Sequence, residues 1–235
     1  MKLIKQAGDE WNSGEILDAF AANGFVRVYE HVPGAILMER LSPGDSLASI
    51  SLNGDDETAT SILIDALKQR SPSTLLPECP TLFDWAKGFD RYRATEKNQI
   101  PRRLVETAQS VFVDLCKSQH QPRLLHGDFH HYNLLFDSQR GWIAIDPKGV
   151  IGELEYEIGT VLRNPIERPD YFLDQKIITR RLKQFSAGLN FDYKRLAAWG
   201  FAQSMLSAIW GVEDGIEVNE SNAGLRLAAI ILPMI

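Results

Sequence analysis

The chain has 235 residues, 44 % of them apolar, and a formal net charge of −6. That length suits one large domain or two small lobes around a substantial core. The mild acidity, with no block of successive Lys or Arg, argues against nucleic acid as the main partner, because phosphate-backbone binding needs a basic footprint.

Cys79 and Cys116 are the only cysteines, so neither a disulfide framework nor a cysteine-rich metal site is indicated, and a reducing compartment fits. The N-terminus turns polar at Gly8-Asp9-Glu10, without the apolar core of a signal peptide. The apolar tail from Leu225 to Ile235 is too short for a bilayer, which needs about 20 residues. A cytoplasmic protein without a membrane partner is expected. The sequence leaves its oligomeric state open.

In chain order, residues 13–22 predict a helix with Ser13 as cap and Ile16, Leu17 and Phe20 as its apolar stripe. Residues 25–32 and 35–39 read as a hairpin turned at Pro33-Gly34. The connection Leu41–Asp45 then marks a lobe boundary, dividing residues 1–41 from 42–235. A helix capped by Asp55 or Asp56 runs through Leu67, ahead of the breaker-rich Ser71-Pro72 and Pro77 region. Thr81–Thr95 and Arg102–Ser118 carry helical spacing, with Pro101 suited to a first turn. Short strands are predicted at 123–126, 134–136 and 142–146, and helices at about 154–162, 170–187, 192–212 and 220–232.

The chemistry concentrates in His126-Gly127-Asp128-Phe129-His130-His131-Tyr132-Asn133, followed by Ile143-Ala144-Ile145-Asp146-Pro147. An acid, an amide five residues later and a second acid ending an apolar strand can form a magnesium–phosphate site. Asp128 is the candidate base for an attacking hydroxyl. Asn133 and Asp146 are the candidate metal ligands. His126 fits a loop brace, and His130 a phosphate contact or loop packing. His130 and His131 lack the partners of a zinc site. Lys148 suits either a phosphate or substrate contact or an exposed loop position.

The segment His126-Gly127-Asp128-x-His130-x-x-Asn133, with Ile145-Asp146-Pro147-Lys148-Gly149, resembles antibiotic kinases of protein-kinase-like fold. Trp142–Gly149, Gly152-Glu153, Tyr156-Glu157, Leu162-Arg163-Asn164-Pro165 and Leu206–Trp210 are similar to the aminoglycoside/hydroxyurea resistance branch, which includes streptomycin kinases. The resemblance implies an α+β, two-lobed fold with a mainly helical C-terminal lobe. It also implies ATP and Mg2+ as cofactors and a hydroxylated antibiotic, streptomycin foremost, as acceptor. Asp128 falls at the catalytic-base position, Asn133 and Asp146 at metal-ligand positions. Lys2 resembles the phosphate-binding lysine, with Lys5 as a substitute, and Glu15 its ion-pair partner. Glu39 and Leu41 lie in the connection that would receive adenine through backbone groups. Nothing before Lys2 supplies the two preceding strands and their phosphate-covering turn, so a truncated N-terminal lobe is expected.

For a cationic small-molecule substrate, two acidic groups are candidates. One contains Glu153 and Glu157, the latter equally suited to stabilising its loop; the other contains Glu213 and Asp214, which also suit a solvated surface. Trp199 and Trp210 frame a groove or pack in the core. The same residues also suit a kinase for hydroxyurea or another small metabolite, or a catalytically silent nucleotide- or small-molecule-binding protein.

Overall fold

The computed structural model describes residues 1–4, 11–20, 23–69, 76, 78–95 and 97–235. Lys5, Gly8-Asp9-Glu10, the end of the first expected helix and the Ser71-Pro72 and Pro77 breaks lie outside these residues.

The N-terminal lobe is mixed α/β. It begins with β1 (Lys2–Leu3), α1 (Ser13–Ala19), β2 (Val28–Val32) and β3 (Ala35–Met38). β2 and β3 form the expected hairpin, and β1 joins its other side antiparallel, with Lys2 opposite Ile36, giving the order β1-β3-β2. Asn12 stands at the N-cap position of helix α1 without a side-chain cap bond, so Ser13 is its buried first residue and not its cap. Ile16, Leu17 and Phe20 form the apolar stripe, and Phe20 stacks on Phe25 at 4.0 Å.

Next come β4 (Pro43–Ser46), α2 (Ala48–Leu52), α3 (Asp56–Gln69), α4 (Leu82–Arg93) and α5 (Arg102–Lys117). Asp55 provides the cap of α3, its carboxylate accepting from Thr58 N at 3.2 Å. Asp56 turns inward. The start of α4 is a reciprocal capping box: Thr81 Oγ1 accepts from Asp84 N at 3.2 Å, and Asp84 accepts from Thr81 N at 2.9 Å. Pro101 stands one residue earlier than expected, at the N-cap of α5.

Four strands then build the frame of the motif loop: β5 (Arg123–Leu125), β6 (Leu134–Asp137), β7 (Gly141–Ala144) and β8 (Val150–Gly152). β6 and β7 are the expected hairpin, with Leu134 opposite Ala144. β4 adds to β6, a pairing hidden by its Pro-Gly content, and β5 pairs with β8. The chain entering β2 bonds to β7, Val26 N to Ala144 O at 3.0 Å and Ala144 N to Gly24 O at 2.9 Å. That seam ties the N-terminal lobe to the motif loop.

The rest is helical: α6 (Glu157–Leu162), α7 (Pro169–Phe172), α8 (Gln175–Leu189), α9 (Tyr193–Glu213) and α10 (Ala223–Ile231). The expected helix 170–187 is two helices, because Asp174 caps α8 by accepting from Lys176 N at 2.6 Å. Helix α9 is apolar nearly all round and is therefore surrounded, by α4, α5, α6, α8 and α10. Trp199 on α9 is fully buried and meets Phe112 edge-on at 5.2 Å and Tyr156 at 5.3 Å. It is a core residue, where truncation to Ala costs about 3–5 kcal/mol. No helix among the described residues is long and apolar enough to cross a membrane.

Candidate active site

The motif loop connects β5 to β6, and its own polar groups fix its shape. His126 is buried; its Nε2 donates to Ile145 O at 2.8 Å and its Nδ1 accepts from Asp128 N at 3.2 Å. These two bonds require a neutral ring protonated at Nε2. Burial outweighs the nearby carboxylates and pushes the imidazole down to about 4, so the ring stays neutral. His126 O accepts from Lys148 N at 2.8 Å and Gly149 N at 3.1 Å, so the segment after β7 is sewn to the same loop. Gly127 has φ +79°, a conformation that glycine adopts without penalty, and a Cβ there would strike Trp85 at 2.9 Å.

Asp128 follows this brace. Burial alone would raise its carboxyl, but His130, Lys148 and Arg163 hold it well below the ordinary range. His130 Nε2 lies 3.6 Å from Oδ1 and Lys148 Nζ 3.6 Å from Oδ2. His130 caps the turn His131–Asn133, its Nδ1 accepting from Tyr132 N at 3.3 Å. His131 is fully buried below the loop.

Asn133 and Asp146 are brought together by the β6–β7 hairpin, whose next rung is Ile145 N to Asn133 O at 3.0 Å. The Asn133 amide nitrogen donates to Asp128 O at 2.8 Å, joining the acid and the amide. Asp146 adopts φ +53°, a left-handed conformation that Asp tolerates better than most residues. Its Oδ1 lies 3.0 Å from Lys2 Nζ. That ion pair corrects the expected Lys2–Glu15 pairing.

Glu15 instead faces a cavity of about 500 Å³, together with Glu213 and Asp214. Trp85 and Trp210 also line it, with ring centroids 5.4 Å apart at 90°. Lys148 and Gly149 connect the cavity to the motif loop. Glu213 is already held by Arg91, at 3.0 and 3.3 Å.

The remaining expected residues lie elsewhere. Glu153 is fully buried, accepting from His120 N at 3.0 Å, from Arg195 Nε at 2.7 Å and from Trp199. Its expected contact with substrate is corrected: it is buried and pairs with the half-buried Arg195. Glu157 is also buried, behind the motif loop, and accepts from Gly127 N at 3.2 Å. Burial raises its carboxyl to about 7 against the pull of that loop's N–H groups. A substrate contact by Glu157 is corrected on the same ground. Glu39 braces the lobes: it accepts from Arg27 N at 2.8 Å and from Arg140, while its own N–H donates to Arg27 O at 2.9 Å. The Glu39 N–H therefore belongs to the sheet and not to a ligand. Leu41 is buried beside this connection.

Trp85 was not legible as a site residue. Within an amphipathic helix it reads as one more apolar position, and only the fold sets it against Gly127 and Trp210.

Residues 1–215 match the family described as aminoglycoside/hydroxyurea antibiotic resistance kinase. The chain belongs to this family. Within this kinase family it is similar to a streptomycin 3''-kinase of Klebsiella pneumoniae, 33 % identical over 221 residues, covering 92 % of the chain and 80 % of that protein. It is also similar to a streptomycin 6-kinase of Streptomyces griseus, 26 % identical over 214 residues, covering 85 % and 66 %. Among solved structures, a choline/ethanolamine kinase family protein from Mesorhizobium loti superposes with a TM-score of 0.69 at 14 % identity, covering 97 % of the chain and 81 % of that protein. This likeness shows the fold, a mixed α/β N-terminal lobe and a larger helical C-terminal lobe of protein-kinase-like plan.

Proposed function

We propose that this chain transfers the γ-phosphoryl group of ATP to a hydroxyl of an aminoglycoside-type antibiotic, streptomycin foremost. The observation that carries the reading is the convergence of Asp128, Asn133 and Asp146 beside an acidic cavity with a tryptophan wall. Asp128 orients the acceptor hydroxyl and takes its proton as the oxygen attacks phosphorus. His126 and Asn133 hold the backbone of Asp128 from either side, so the carboxylate is fixed before substrate arrives.

The donor set fits magnesium. With its amide nitrogen given to Asp128 O, Asn133 offers its oxygen, and Asp146 offers a carboxylate that already faces a cation. These are hard oxygen donors, and no larger cluster of His, Cys, Asp or Glu gathers among the described residues. That sparse set suits an ion that keeps several waters and phosphate oxygens. When bound, magnesium neutralises charge on the nucleotide phosphates. Lys2, beside Asp146, supplies a further positive charge there. We assign residues 1–41 to the nucleotide side, with adenine against backbone groups near Leu41, and residues 42–235 to catalysis and acceptor binding.

Glu15 and Asp214 give the cavity its capacity to attract a cationic acceptor, while Trp85 and Trp210 offer ring faces to its apolar or guanidinium parts. A volume of about 500 Å³ suits a bulky acceptor better than hydroxyurea. Purified protein given ATP and magnesium should release ADP at a rate raised strongly by streptomycin and weakly or not at all by hydroxyurea. ADP release indifferent to both would contradict the reading.

A further inference from the structure

We propose that Lys148 donates from its ammonium to the oxygens of the transferring phosphoryl group, between Asp128 and the acceptor cavity, an assignment that rests on the phosphotransferase reading.

Its place is fixed by main chain. Lys148 N donates to His126 O at 2.8 Å and Gly149 N donates to the same oxygen at 3.1 Å. Gly149 has φ +76°, and a Cβ there would strike Ile16 of α1 at 2.7 Å. The lysine stem therefore leaves a segment clamped between the motif loop and α1. Its Nζ lies 3.6 Å from Asp128 Oδ2, and the same residue lines the cavity. It spans the gap between the base and the acceptor.

The other cations nearby are engaged differently. Arg163, which also acts on Asp128, is half-buried and donates from Nε to Gln203 Oε1 at 2.9 Å. Arg91, which also lines the cavity, is held by both carboxylate oxygens of Glu213. Lys2 lies against Asp146, on the nucleotide side. Lys87 is paired with Asp84 at 2.8 Å.

In the transfer, the acceptor oxygen forms a bond to the γ-phosphorus while the bond from that phosphorus to the β,γ-bridging oxygen breaks. ADP leaves with that electron pair, and the hydroxyl proton passes to the Asp128 carboxylate. Lys148 takes no part in the proton transfer. An acceptor oxygen bonded to Asp128 puts the equatorial phosphoryl oxygens within reach of an ammonium 3.6 Å from that carboxylate. As charge spreads over those oxygens, a fixed donor aimed at them lowers the barrier. The phosphoryl oxygens also compete for the ammonium, which releases Asp128 to accept its proton.

The test uses the full chain, with Lys148→Met and Lys148→Arg against wild type and Lys117→Met, an exposed pair with Asp114 on α5, as control. Two quantities are read: steady-state kcat and KM with streptomycin, and calorimetric affinity for ADP–magnesium with and without aluminium fluoride, a mimic of the planar phosphoryl group. Loss of one such donor is expected to cut kcat by about 10²–10³-fold. Lys148→Met should lose a similar factor in fluoride-dependent affinity, keep ADP affinity within about threefold, and recover part of both losses as Lys148→Arg. The affinity loss should persist when Asp128→Asn is added, because the contact is with the phosphoryl group and not through the carboxylate. Unchanged fluoride-dependent affinity in Lys148→Met would overturn the assignment, as would a loss that disappears in the Asp128→Asn background. A wild-type protein inactive with streptomycin would instead contradict the acceptor reading, and the affinity measurement would still judge Lys148.

Discussion

Asp128 owes its ionised state to neighbours and its orientation to the backbone. Replacing it with Asn keeps the size and removes the proposed proton acceptor. Turnover should fall by about 10²–10⁴-fold, with ADP affinity nearly unchanged, in steady-state and calorimetric measurements. Glu157 makes a second residue-level prediction. Its carboxyl is raised to about 7 in the fold from an ordinary 4.5, so the folded state binds the extra proton between those values. The stability it contributes is fully present below 4.5 and is lost as pH rises through 7. His126 works in the opposite direction: lowered from 6.5 to about 4, it contributes stability above 6.5 that is lost as pH falls through 4. Comparing wild type with Glu157→Gln isolates the first effect. The variant's stability relative to wild type should climb across pH 4.5–7 and level off above it, in denaturant titrations. A difference that does not vary with pH would show that Glu157 ionises normally. That Asp128, Asn133 and Asp146 come together was legible in the sequence because their spacing is itself a chemical pattern. Glu153 and Glu157 were not, since nothing local in the chain distinguishes a carboxylate buried against Arg195 and Trp199 from one facing a substrate.

At the scale of elements, the site stands on contacts between helices that sequence periodicity cannot pair. Asp56 at the start of α3 is buried against Arg181 of α8, Nε to Oδ2 at 2.8 Å, with Arg180 also bonded to it. Arg181 also donates to Asn164 O at 2.7 Å, so the pair fixes the turn after α6. Asp56→Ala leaves a buried guanidinium without its counter-ion and should cost about 3–5 kcal/mol. For a chain of this size that is a fall in Tm on the order of 10 °C, measurable by calorimetry. Across the cavity, α4 and α9 contribute Trp85 and Trp210. Trp85→Ala should raise the KM for a cationic acceptor roughly tenfold, a loss in the range of one partly desolvated cation–π contact. Most helices were readable from apolar spacing and caps, Thr81 and Asp84 above all. β4 was not, because Pro43 and Gly44 read as a turn until β6 is there to pair with them. The break at Asp174 was hidden for a related reason: apolar residues continue on both sides of the cap.

At the scale of the molecule, the hairpin β6–β7 joins the two lobes, with the pair Lys2–Asp146 at one end of it, on the side proposed for the nucleotide, and the cavity proposed for the acceptor beyond Lys148. The two-lobed, protein-kinase-like plan was legible through the resemblance carried by residues 126–133 and 145–149, and the β6–β7 hairpin through two short apolar runs joined at a polar turn. The cavity was not, because α1, α4 and α9 supply its walls from widely separated parts of the chain. The measurement that tests the account most directly is product identification. Wild-type and Asp128→Asn proteins are each incubated with ATP, magnesium and streptomycin, and the drug is examined by mass spectrometry and phosphorus NMR. The account predicts a singly phosphorylated streptomycin from the wild type and almost none from the variant. Equal amounts of phosphorylated drug from both proteins, or none from the wild type, would contradict it.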